Sequence, residues 1–463
     1  MRSLFFAALF LSACSTENAG RSRTTSTGGS NSTGGTNSTG GTNSTGGTTG
    51  NGGCDGLECY QMTCPSGSTT PTTTVTGRVT APNGLDPVYD AAVYVPKMIP
   101  EFPATVQCEV CNEPLGGTPI VTTNTDVDGS FTLTNVPATT QVPIVVQKGR
   151  FRRVFNIDVQ ACTSAALSKD QTRLPKNKSE GDLPKIAVGV GNYDQIECVL
   201  RSIGIDDAEF TAPGSTGAVH LYKNYTNFDT SGSADELGGL LTDMDKLNTY
   251  NLLFVNCTDE RAEMQPTGWK QNLFQYVNSG GRLYVTDWAY DYMEQIQEFA
   301  PYVFFHGTGT ETMPQPVGTA FFAWEGADLT GTIVDPTLKD WMKAAGASND
   351  GTLNIIGSWA LADHVSADAM NYPTHTWVQG TVSASGESGA KTRPMSATFD
   401  YNMCGKVLWS SYHTQEPGGG GFDNGPGDAF PSYCKSTPTT MIPQEKVLEF
   451  LIFQISDCVT PIM

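Results

Sequence analysis

The sequence predicts a multidomain chain: a small β-sandwich followed by a larger α/β domain built on a doubly wound parallel sheet. Three observations predict it. Residues 73–175 carry short alternating apolar runs punctuated by Pro, Gly, Asn and Asp, the pattern of a sandwich. From Leu183 onward, apolar strand runs alternate with helical patterns, the signature of a parallel sheet covered by helices. Ahead of both, residues 14–53 hold almost nothing apolar to bury, so they cannot build a core.

In chain order, Arg2 precedes a short apolar run from Leu4 to Leu11, and Leu11-Ser12-Ala13-Cys14 closes it with small residues before a cysteine. A membrane-spanning helix needs about 20 apolar residues, so residues 1–13 read as a secretory signal peptide. The tetrapeptide resembles the bacterial lipobox. That resemblance implies lipidation of Cys14, with palmitate-type chains anchoring the protein to a lipid bilayer. Ser15 stands where an Asp would imply inner-membrane retention by analogy with bacterial lipoproteins, which implies an outer membrane lipoprotein facing the periplasm or the cell surface.

The Gly-, Thr-, Ser- and Asn-rich repeats up to Gly53 read as a tether with a span of roughly 35 Å. Asn31, Asn37 and Asn43 match the N-glycosylation pattern, but they belong to the repeat. A net charge of −20 argues against nucleic acid as a partner, since phosphate binding requires clustered Lys and Arg. With Cys14 assigned to lipid, the other cysteines are Cys54, Cys59, Cys64, Cys108, Cys111, Cys162, Cys198, Cys257, Cys404, Cys434 and Cys458. Outside the cytoplasm these read as disulfide partners, and their odd number leaves at least one over. Residues 54–72, with three evenly spaced cysteines, read as a Cys-rich collar. Cys108 and Cys111 have the spacing of a zinc half-site, but no second ligand pair accompanies them, so no metal and no cofactor is expected.

In the sandwich, Asp128-Gly129 supplies a tight turn, after which Phe131 and Leu133 share one sheet face. Thr76-Gly-x-Val79, Ala92-Val-x-Val95 and Asp126-x-Asp-Gly-x-Phe-x-Leu, followed by Val136-Pro137, resemble the carboxypeptidase-regulatory-like domain. The resemblance implies a prealbumin-type sandwich with a carbohydrate-binding-like fold. Asp126 and Asp128 lack the later acidic ligand of a calcium loop and read as turn residues.

In the α/β domain, residues 183–463, strands are expected at Lys185–Val190, Ala218–Tyr222, Asn251–Asn256, Arg282–Thr286 and Gly405–Ser411. Helices are expected at Tyr193–Ile203, Glu236–Leu247, Gly268–Val277 and Pro443–Ile455. Ligands of such sheets bind beyond the carboxyl ends of the strands, which directs attention to Gly191–Tyr193, Cys257–Asp259, Asp287-Trp288 and Tyr412–Thr414. Gly280–Asp287 and Gly405–Thr414 resemble the class I glutamine amidotransferase-like fold, in particular its ThuA-like branch. Where that resemblance implies a cysteine nucleophile, this chain carries Asp287. His413 matches the later histidine, but its nearest acid, Glu416, is one residue too far, so glutamine hydrolysis is not expected.

Asp287 and His413 remain as weak catalytic candidates, able to form an acid/base pair or part of a metal site. Cys257 joins them, although a disulfide is its preferred reading. Trp288, Tyr290, Trp409 and Tyr412 fall near the same edge and would suit a glycan or another envelope ligand, or else pack the core. Taken together, the layout resembles a lipoprotein family known from myxobacteria, and that resemblance implies no activity. The expectation is a cell-envelope-anchored, non-catalytic binding, adhesion or structural protein with a glycan or envelope-protein ligand. The alternative is a degenerate hydrolase using Asp287 and His413.

Overall fold

The computed structural model describes residues 54–109, 117–224, 236–258, 262, 265–306, 313–414, 429–435 and 437–459. Cys14, the signal, the tether, Cys111, Asp259 and Glu416 lie outside them. The described residues form several β-sheets with flanking helices. No helix among them is long and apolar enough to cross a membrane.

The first lobe contains β1 (Thr74–Arg78), β2 (Ala92–Pro96), β3 (Pro119–Asn124), β4 (Ser130–Thr134), β5 (Val142–Lys148), β6 (Phe151–Ile157), β7 (Ser164–Ala166) and the one-turn α1 (Lys169–Thr172). Two sheets result, ordered β4-β1-β7 and β3-β2-β5-β6. Period-2 alternation sets the inward face: Phe131 and Leu133 are buried on β4 while Thr132 and Thr134 are exposed. Gly129 turns the chain at φ 79°, and a Cβ there would lie 2.3 Å from the Val79 carbonyl, so only glycine fits. Asp128 accepts the Ser130 amide at 2.9 Å and pairs with Arg78 at 2.6 Å, the work of a turn residue. The collar is stapled by Cys54–Cys59, and Cys64–Cys162 ties it to the sandwich. Cys108 bonds Cys404, which removes it from any zinc half-site, and Cys198 bonds Cys434.

The second lobe continues with β8 (Ile186–Val190), α2 (Ile196–Ser202), β9 (Phe210–Thr211), β10 (Val219–Lys223), α3 (Leu237–Leu241), α4 (Met244–Leu247), β11 (Leu252–Val255), α5 (Trp269–Asn278), β12 (Arg282–Thr286) and α6 (Asp291–Glu294). It ends with β13 (Val303–Phe304), β14 (Phe321–Ile333), α7 (Pro336–Ala344), β15 (Thr352–Leu361), β16 (His364–Val365), β17 (Thr374–Ser383), β18 (Ala390–Tyr401), β19 (Gly405–Ser410) and α8 (Pro443–Ile455). The main sheet has ten strands in the order β15-β14-β17-β18-β19-β12-β11-β8-β10-β9. From β19 to β9 neighbours are parallel. From β15 to β19 they are antiparallel, so the expected doubly wound parallel sheet is in fact a mixed one. The central parallel strands β8 and β11 are buried along their whole length and read as continuous apolar runs. By contrast, a strand such as β17, Thr374-His-Thr-Trp-Val-Gln-Gly-Thr-Val-Ser383, wets one face and hides among polar residues.

The two lobes share one core, and Cys54–Met463 forms one unit. Helix α8 joins them: Phe453 packs edge-on against Phe151 at 5.6 Å, and Phe450 stacks with Tyr89. Trp341 of α7 donates its indole N–H to the Pro87 carbonyl at 2.7 Å. Lys148 of β5 reaches Asp457 at 2.6 Å, and Lys446 of α8 reaches Asp86 at 2.6 Å.

Glu449 is wholly buried on α8, 3.1 Å from Lys446, with its Oε1 unpartnered. Burial pushes its carboxyl up to about 8, against the pull of Lys446. The folded chain therefore holds a proton that the unfolded chain releases near pH 4.5, so stability falls as pH rises from there towards 8. Glu449→Gln is expected to flatten this slope by on the order of 1–3 kcal/mol, read as the difference in urea midpoints between pH 5 and pH 8. Equal slopes in variant and wild type would refute it.

Candidate functional site

Four strands of the parallel half end side by side, and the turns that follow them meet. After β12 the backbone turns sharply through Asp287, whose φ of 45° lies in the left-handed region that only Gly and, at some cost, Asp or Asn tolerate. The turn throws its carboxylate inward. There Oδ2 and Oδ1 accept the amides of Trp359 and Ala360 on β15 at 2.9 and 2.8 Å. His413, past the end of β19, brings Nε2 to 3.2 Å from Asp287 Oδ2. Cys257, past the end of β11, completes the group, the ligand atoms of all three lying within 4.8 Å of one another. Each residue was a candidate from its position beyond a strand. Their convergence could not be read from spacing.

One buried carboxylate organises these turns. Asp194 lies beyond β8 and accepts the Thr414 amide at 2.9 Å, the Thr414 hydroxyl at 2.7 Å, the Gln195 amide at 2.8 Å and the Thr286 hydroxyl at 2.6 Å. Thr286 Oγ1 in turn accepts the Cys257 amide at 2.8 Å. Gly191 permits the close approach of two turns, because a Cβ there would lie 2.1 Å from the Cys257 carbonyl oxygen. Sequence reasoning stopped at Gly191–Tyr193 and missed Asp194. The available signal was an acid between a fully apolar strand and a helix.

Cys257 is a free, buried thiol and not the disulfide partner expected of it. Burial pushes the thiol up to about 11, so it stays protonated at neutral pH. For His413, burial disfavours the imidazolium, but the Asp287 charge and hydrogen bonds to Asp287 and Cys257 prevail and hold its pKa well above the usual imidazole range. Burial raises Asp287, opposed by His413 and the two β15 amides. A neutral thiol is not an activated nucleophile. The site is also covered, because the antiparallel strands that the sequence hid bring β15 back across the strand ends. Ser358 bridges to Tyr412, its hydroxyl lies 3.0 Å from that of Ser411, and Gln444 of α8 donates to the His413 carbonyl at 2.7 Å.

Tyr290, Trp409 and Tyr412 are at most 1 % exposed, so the expected aromatic edge is mostly core; only Trp288 is half-buried. Large aromatics bury the most area, and here Tyr290 packs on Phe305, which packs on Trp409. An aromatic surface does exist elsewhere. A cleft of about 820 Å³ is lined by Tyr302, Tyr372, Tyr401, Asn371, Asp400 and Met370, among others. Tyr302 stacks on Phe399 at 4.0 Å and meets Tyr372 edge-on at 5.4 Å, fixing the cleft floor to the core.

No family model and no curated protein matches this sequence. Among solved structures, the chain is similar to a ThuA-like protein of Parabacteroides merdae, with 14 % identity, covering 60 % of this chain and 91 % of that one at a TM-score of 0.32. A ThuA-like protein of Bacteroides uniformis is similar at 9 % identity, over 58 % and 88 %, with a TM-score of 0.30. A cytoplasmic protein of Salmonella typhimurium follows at 12 % identity, over 50 % and 87 %, with a TM-score of 0.26.

Proposed function

We propose that this chain is an outer-membrane-anchored lipoprotein that binds an envelope glycan without catalysis, through the cleft around Tyr372 and Tyr401. The anchoring rests on Leu11-Ser12-Ala13-Cys14 and the repeats behind it. The second lobe is read as a ThuA-like scaffold on Gly280–Asp287 and Gly405–Thr414, and the first as a carboxypeptidase-regulatory-like sandwich. One observation carries the binding reading: two half-buried tyrosines beside Asn371, Asn402 and Asp400 in an open cleft of about 820 Å³. Flat apolar faces ringed by amides and carboxylates match the alternating faces and hydroxyls of a sugar ring. The degenerate hydrolase is the weaker reading, because Asp287 and Cys257 are covered and the thiol is neutral.

Tyr372→Ala and Tyr401→Ala are each expected to weaken retention on a glycan array or on purified peptidoglycan by about tenfold, on the order of 1.4 kcal/mol. Trp288→Ala, outside the cleft lining, should leave retention unchanged. Retention insensitive to both tyrosines would sink the proposal.

A further inference from the structure

We propose that Cys257, Asp287 and His413 form a three-ligand site for a zinc-type divalent cation. The claim is independent of the glycan reading, since none of the three residues lines the cleft. Thiol, carboxylate and imidazole supply one donor each, all within 4.8 Å of one another. With bond lengths of about 2.0–2.3 Å, tetrahedral ligands of zinc stand roughly 3.3–3.8 Å apart. The 3.2 Å between His413 Nε2 and Asp287 Oδ2 falls just short of that separation.

The third donor, Cys257, separates this arrangement from an ordinary buried His–Asp pair. His413 Nε2 is shut off from solvent 3.2 Å from Asp287 Oδ2, with the Cys257 sulfur in the same group. Asp287 is held for the task by the amides of Trp359 and Ala360, the outer support that metal carboxylates need. The left-handed φ at Asp287 and the network on Asp194 fix the three turns that carry the donors.

Sulfur and nitrogen donors select a borderline-soft ion such as Zn²⁺ or Co²⁺ over Mg²⁺ or Ca²⁺, which take oxygen. Binding converts the Cys257 thiol to thiolate and the His413 imidazolium to imidazole, releasing a proton from each. Three protein ligands leave a fourth position for water or an exogenous ligand.

The test is titration of the metal-stripped, non-reduced full chain with Co²⁺, followed by elemental analysis after Zn²⁺ loading and dialysis. The expected result is one equivalent of metal and a near-ultraviolet thiolate-to-cobalt band. Among the described residues Cys257 is the one free thiol, so Cys257→Ser should abolish the band. Asp287→Asn and His413→Gln should each weaken Co²⁺ at least tenfold while leaving glycan retention unaltered. Absence of the band in the wild-type chain, or its persistence in Cys257→Ser, overturns the proposal. The wild-type measurement stands even if a variant fails to fold.

Discussion

Asp194→Ala is expected to destabilise the protein by about 3–5 kcal/mol, more than any other single polar substitution around the strand ends. The carboxylate is 0 % exposed and accepts four hydrogen bonds, two of them from Thr414 at the end of the β19 turn and one from Thr286 at the end of β12. Removing it leaves the Thr414 and Gln195 amides without this acceptor in a region from which water is excluded. It also frees Thr286, which holds the Cys257 amide at 2.8 Å. The loss should therefore appear twice: in the urea midpoint, and in faster modification of Cys257 by a thiol reagent as the turns part. Asp194→Asn keeps one oxygen acceptor and should fall between wild type and alanine. A midpoint change worth less than about 1 kcal/mol would show that the network is not what joins the turns.

The second large effect concerns the lobes. A chain beginning at Leu183 is expected not to fold cooperatively, although it contains every strand of the ten-stranded sheet. Removing the sandwich would expose Phe450, Phe453 and Trp341, leave the Trp341 indole N–H without Pro87, and strip Lys446 of Asp86. It would also leave Cys404 without Cys108, cutting a covalent link between residues 296 positions apart. Loss of a native disulfide alone typically costs 2–5 kcal/mol, comparable to the whole stability of many domains. The expected outcome is a dye-binding, broadly melting species. A sharp calorimetric transition from the shortened chain would refute this.

Much of the second lobe was legible in the sequence because fully buried parallel strands leave apolar runs that nothing else explains. Ile186–Val190, Leu252–Val255 and Arg282–Thr286 all fall where such runs were read, and α8 has the bounds expected of it. The antiparallel half was not legible. β14 exposes Asp328, Thr330 and Thr332, and β18 mixes Arg393 and Ser396 into its buried stretch, so no apolar run marks either. That omission also misdirected the reading of the site. Without β15 laid over the strand ends, Asp287 and Cys257 would face a crevice, and Trp409 and Tyr412 would look like a rim. Positions beyond strands identified Asp287, His413 and Cys257. Only tertiary structure could show that they meet, that Cys257 stays unpaired, and that the open aromatic surface belongs to Tyr372 and Tyr401 instead.

The staple between Cys64 and Cys162 also settles how the molecule carries load. Tension entering from the N-terminal side at Cys54 passes along the collar to Cys64 and then crosses the disulfide directly to Cys162, bypassing the 98 positions between them. Strands β1 to β6 lie inside that bypass, where the Cys108–Cys404 bond is a second covalent link to the second lobe. Tension drawn along the chain from Cys54 is therefore borne by covalent bonds as far as Cys162, and β1 cannot be peeled away from that end while the Cys64–Cys162 bond is intact.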